Sequence, residues 1–126
     1  MKKTFTGYTF MVLALFTCVA WLGFGGAESS LEEGRKILTR EGVTGVPKAL
    51  EQFDKAIQKD SLLDAAYLEA GQACLLKFEL EKRKDASWLD RAGKYADALL
   101  AKKPRQSDAL VLRAQVLLDG GREKDA

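Results

Sequence analysis

In the stretch KALEQFDKAIQKDS, residues 48–61, apolar side chains return with the period of an α-helix. Ala49, Leu50, Phe53, Ala56 and Ile57 follow the spacing i, i+1, i+4, i+7, i+8, which draws one apolar stripe along an otherwise charged helix. Such a helix is marginal alone and is stabilised by packing its stripe against another apolar surface. The same period runs from residue 29 to the C-terminal region, with no strand-like alternation between. The chain is therefore read as all-α.

Start and stop signals divide it into five helices. Ser30 with Glu33 three residues on has the form of a capping box. The helix it opens carries Leu31, Ile37 and Leu38 and stops at Gly42, a natural left-handed residue. Pro47 suits the first turn of the next helix. Ser61 and Asp64 repeat the start and lead into a long apolar helix through Tyr67, Ala70, Cys74 and Phe78. Its end, ELEKRKD (residues 79–85), reads as a solvated terminus of mixed charge. Ser87 and Asp90 open a fourth helix, with Trp88, Ala92, Tyr95, Ala96 and Leu99 inward and Pro104 as its stop. Ser107 opens a fifth, with Leu110, Ala114, Leu117 and Leu118, closed at Gly120 and Gly121. Short loops between such helices predict an antiparallel array.

The first 27 residues have a different character. Lys2 and Lys3 precede a run that carries no charge until Glu28, and the run ends in small residues at Gly25 and Ala27. A basic start, an apolar centre and a small-x-small end form the layout of a secretory signal cleaved after Ala27. Residues 4–27 are also long enough to cross a bilayer as a retained apolar N-terminal helix. Either way the remainder is exported, with Lys2 and Lys3 on the cytoplasmic side. A lipoprotein box at LFTC (residues 15–18) fits poorly, because Phe16 and Thr17 are not small.

Charge and composition exclude several functions. Twenty Lys and Arg face 18 Asp and Glu, and the surplus is Lys2 and Lys3, so residues 28–126 are neutral. A nucleic-acid partner, which requires a basic surface, is not expected. The chain has no histidine, which removes histidine acid–base catalysis and the common zinc sites. Cys18 lies in the apolar run and Cys74 on an apolar helix face, so neither is read as a nucleophile. Glu51, Asp54 and Asp64 are placed on polar helix faces or at caps. With no nucleophile–base pair, metal spacing or phosphate loop, the expectation is a protein without catalytic residues, metal or cofactor.

KALEQFDKAIQKDS superposes without gaps on RAGKYADALLAKKP (residues 91–104): Ala49 on Ala92, Phe53 on Ala96, Ala56 on Leu99, Ser61 on Pro104. Gly71 and Ala114 follow at matching depth. The pattern resembles the tetratricopeptide repeat, a 34-residue helix-turn-helix unit in which small residues let helices approach and an aromatic fills the gap. Ala49, Phe53 and Ala56 fit its second helix, and Tyr67 and Gly71 fit its first. The implied domain is an α-solenoid over residues 28–126, with repeats at about 28–63, 64–106 and a partial one at 107–126. Gly34 and Arg113 depart from the pattern, standing where the family prefers a large apolar residue.

The resemblance implies a binding role. Arrays of this kind present a concave groove to a peptide or helix of a partner protein, here formed by Leu68, Gln72 and Leu75 with Val111 and Gln115. Whether Leu68 and Leu75 face a partner or are covered by neighbouring helices stays open at this level. The expected function is an exported or membrane-tethered scaffold in envelope assembly or secretion. The alternative is a structural subunit anchored by residues 4–27 in a larger membrane complex. With a turn at Gly121, the third repeat ends half-built. Leu110, Ala114 and Leu117 are then an uncovered apolar face, open to self-association through residues 107–126 or to a continuation of the array.

Overall fold

Among the described residues five helices follow one another: α1 over residues 26–41, α2 (Val46–Lys59), α3 (Asp64–Leu80), α4 (Ser87–Lys102) and α5 (Ser107–Asp125). A 3₁₀ turn, Gly42–Gly45, joins the first two. This computed structural model describes residues 26–125. The apolar segment before residue 26, with its signal, anchor and lipoprotein readings, lies outside the described residues, as does Ala126. Among the described residues there is no strand.

On α2, α3 and α4 the apolar stripes lie where the periodicity places them, whereas on α5 the stripe of Leu110, Ala114, Leu117 and Leu118 is exposed. On α2, Val46, Ala49, Leu50, Phe53 and Ala56 are buried, with Ile57 packed at the margin. On α3 the buried set is Ala66, Tyr67, Ala70, Gly71, Ala73, Cys74 and Phe78. On α4 it includes Trp88, Ala92, Ala96 and Leu99. The paired positions Ala49 and Ala92, Phe53 and Ala96, Ala56 and Leu99 are all at 0% exposure. Gly42 has the left-handed φ of +60° expected of a helix stop, and Pro47 sits in the first turn of α2.

The serine capping boxes are not used. Ser30 is a buried residue inside α1, and its Oγ accepts a hydrogen bond from Lys59 Nζ at 3.1 Å. Helix α3 begins after Leu63 without a side-chain cap. Asp60 and Asp85 do the turning instead: Asp60 Oδ1 accepts the Leu62 amide and Asp85 Oδ1 the Ser87 amide, each at 3.0 Å. A carboxylate two residues ahead of an amide forms this Asx turn more strongly than a serine hydroxyl would. The bonds from Ser87 hold the Asp85 carboxyl below its ordinary range.

Residues 79–85 are not simply a helix terminus. Helix α3 stops at Leu80, and Lys82 and Arg83 both take left-handed φ, near +60°. The Arg83 amide donates back to Phe78 O at 2.9 Å, which closes the turn without glycine. A second correction concerns Gly120 and Gly121, expected to close the fifth helix. Helix α5 runs through both, and neither has a left-handed φ. A glycine inside a helix costs only about 1 kcal/mol, so the inward contacts of Leu112, Val116 and Asp119 are enough to carry the helix on.

Cross-contacts fix the arrangement. Lys59 at the end of α2 reaches Gly26 O and Ser30 at the start of α1. Lys102 at the end of α4 reaches Tyr67 near the start of α3, and Arg113 of α5 pairs with Asp97 of α4 at 3.4 Å. Consecutive helices therefore run antiparallel. Helices α1 and α3 are joined by Arg35, whose Nε and Nη2 grip the Glu69 carboxylate at 2.8 and 2.6 Å. Helices α2 and α4 are joined by the Tyr95 hydroxyl, which donates to Asp54 Oδ1 at 2.6 Å. Asp54 is thus half-buried and bonded, not on an open polar face. Gly34 also has a packing reason: a Cβ there would stand 2.6 Å from Phe53 Cε1, so its absence admits the aromatic ring.

Candidate functional site

Helices α3 and α5 lie side by side because Gly71 lets Leu112 close over it. Beside this contact a groove of about 380 Å³ opens between the two helices. Leu68, Gln72 and Leu75 form one wall, and Asp108, Val111, Leu112 and Gln115 form the other. All five residues expected in a groove are thus brought around one concavity. The sequence reading missed Asp108 and Leu112, which stand three residues before Val111 and Gln115 and follow from helical spacing.

Neighbouring helices cover Leu68 and Leu75 only in part. Each is half-buried: Leu75 packs against the main core and Leu68 against a smaller cluster of Tyr67, Leu99 and Ala109. Each also presents an edge to the groove. Val111 is 67% exposed, and Gln72 and Gln115 are exposed residues, with Gln115 Nε2 donating to Asp119 Oδ1 at 3.0 Å. The groove offers apolar contact, two amides that donate and accept, and one carboxylate. The lining contains no nucleophile–base pair.

The face expected to be uncovered is exposed: Leu110, Ala114 and Leu117, joined by Leu118. The inward face of α5 is instead Ala109, Leu112, Val116 and Asp119. Asp119 is buried, accepts from Gln115 Nε2 at 3.0 Å and lies 3.6 Å from Arg83.

The reactive groups are subdued. Cys74 is buried, and burial pushes its thiol up to about 12, which leaves it protonated and a poor nucleophile at neutral pH. Burial, and then the hydrogen bond to Asp54, push the Tyr95 hydroxyl up as well. Asp64 is taken up by Lys103 at 2.6 Å and Gln106 at 2.7 Å. Among the described residues no group of His, Cys, Asp and Glu is placed to hold a metal ion. Among them, too, no helix is long and apolar enough to cross a membrane. No protein-family model, curated protein or solved structure matches the chain.

Proposed function

We propose that this chain is a tetratricopeptide-like scaffold, exported or membrane-tethered through its N-terminal segment, whose α3–α5 groove holds a peptide or helix of a partner protein. The observation that carries the reading is the convergence of Leu68, Gln72, Leu75, Val111 and Gln115 on one groove of about 380 Å³. Helix-in-groove recognition needs such a shape, with apolar anchors and a few polar groups to set register. The repeat resemblance is supported by the shared burial of Ala49 with Ala92 and Ala56 with Leu99. It is supported also by α3 standing next to α1 through Arg35 and Glu69 and next to α5 through Gly71 and Leu112, with Asp54 of α2 bonded to Tyr95 of α4. Envelope assembly or secretion is the setting that the basic and apolar leader favours.

A second reading rests on a separate observation. Leu110, Leu117 and Leu118 are each at least half exposed on one helix, which favours a structural subunit that buries this face against another chain.

The test is a photo-cross-linking amino acid placed singly at Val111, Gln72 and Lys55 of the full chain in its native cells. Val111 and Gln72 are exposed in the groove, and Lys55 is exposed on α2. One discrete adduct from residues 111 and 72, absent at 55 and lost with Gln115→Arg, supports the groove. Equal adducts from all three positions sink it.

A further inference from the structure

A second cleft, of about 360 Å³, lies between α2 and α4 with Tyr67 of α3 in its lining. It shares no residue with the α3–α5 groove. Ile57, Tyr67, Tyr95 and Ala98 supply flat and apolar walls, and Arg91 and Lys94 supply two cations. Its volume falls at the small end of the range for small-molecule sites.

The charges are what set this cleft apart. Arg35, Lys77, Arg83, Lys103 and Arg113 are half-buried cations, and each lies against a carboxylate. Arg91 is half-buried too, yet among the described residues no carboxylate pairs with it, nor with Lys94 beside it. The one acid of the cleft, Asp54, is engaged by the Tyr95 hydroxyl. Arg91 is not loose: its guanidinium lies over the Trp88 ring, 4.9 Å from the centroid. A stacked guanidinium keeps its planar fork of donors in place, and that fork matches a carboxylate.

We propose that the cleft binds a small organic acid with a flat apolar body. The body lies against Ile57, Tyr67 and Tyr95, and the carboxylate is held by Arg91 with Lys94 at the rim. Asp54, on the α2 side, turns the charged end of the ligand toward α4. This site is independent of the partner groove, and either one stands without the other.

The experiment uses the isotope-labelled full chain and two probes of one shape, naphthalene-2-carboxylate and its neutral carboxamide. The acid is expected to shift the amide signals of residues 54, 57, 67 and 91–98, with the carboxamide leaving them in place. Arg91→Gln is expected to weaken the acid by about tenfold or more, and Lys94→Gln by less. Because the paired probes are compared on the unaltered chain, the result does not depend on either variant folding. Equal shifts from acid and carboxamide overturn the proposal. So do shifts confined to the Leu68–Leu75 groove or the Leu110–Leu118 face, or no shift up to the solubility of the acid.

Discussion

Gly71 lies so close beneath Leu112 that a Cβ at residue 71 would stand 2.4 Å from Leu112 Cδ2. The contact decides how near α3 and α5 approach, and with that the width of the groove beside it. Gly71→Leu is expected to destabilise the fold by about 1–3 kcal/mol, the usual range for overpacking, even though leucine is the better helix former. Thermal unfolding followed by circular dichroism measures it, and Leu112→Ala in the same chain should restore part of the loss. An unchanged melting temperature in Gly71→Leu would mean that the helices do not meet here.

Gly120 and Gly121 report on whether α5 is continuous. Nothing lies within 4 Å of a Cβ at either position, and both are helical. Gly120→Ala and Gly121→Ala should each stabilise the protein, by about 0.5–1 kcal/mol, because alanine loses less backbone freedom on folding. A turn with a left-handed glycine would reverse the sign. A lower melting temperature in either variant therefore argues for the turn.

Cys74 ties stability to alkaline pH. Burial raises its thiol from 9.0 to about 12 in the folded chain. The native state then holds a proton that the unfolded chain releases, so this contribution is complete below pH 9 and is lost as pH rises toward 12. Tyr95, whose hydroxyl is raised from 10.0, acts in the same direction at higher pH. Melting temperatures between pH 9 and 12 should fall less steeply in Cys74→Ala than in the parent, a window taken from that shift. Identical slopes would show that the thiol is open to solvent.

Neighbouring positions on α5 should differ several-fold in what the same charge costs. Leu117 and Leu118 are 62% and 58% exposed, and Val116 between α4 and α5 is 9% exposed. Leu117→Lys with Leu118→Lys should change stability by no more than about 0.5 kcal/mol. It should also lower the sedimentation coefficient if copies associate through this face. Val116→Lys buries an unpaired ammonium and should cost several times more, about 3 kcal/mol or above. Equal costs would mean that the register of α5 about its axis is different.

Much of the fold is legible in the chain because burial and period are local properties. Leu50, Phe53, Ala56, Cys74, Ala92 and Leu99 announce their inward faces by spacing alone, since a helix repeats every 3.6 residues wherever it packs. Caps are less legible. Ser30, Ser61 and Ser87 carry the expected pattern, but an aspartate two residues ahead competes for the amides at two of these turns and α1 passes through the third. The Gly120–Gly121 pair misleads for a similar reason, because a weak local preference yields to contacts made elsewhere along α5.

The two clefts divide along the same line. Repeat spacing places Leu68, Gln72 and Leu75 on one face of α3, and Val111 and Gln115 on one face of α5, because each set belongs to a single helix. Nothing along the chain says that Asp54 meets Tyr95, 41 residues on, or that, among the described residues, Arg91 alone of the half-buried cations goes without a carboxylate. Those facts depend on which helices become neighbours and at what height. What the sequence by itself determined is the helical class, the buried stripes of α2, α3 and α4 and the left-handed stop at Gly42, all set by short-range sterics and periodicity. Tertiary structure decided the Gly71–Leu112 approach, the continuity of α5 and the charge left open at Arg91, because each depends on contacts between residues far apart in the chain.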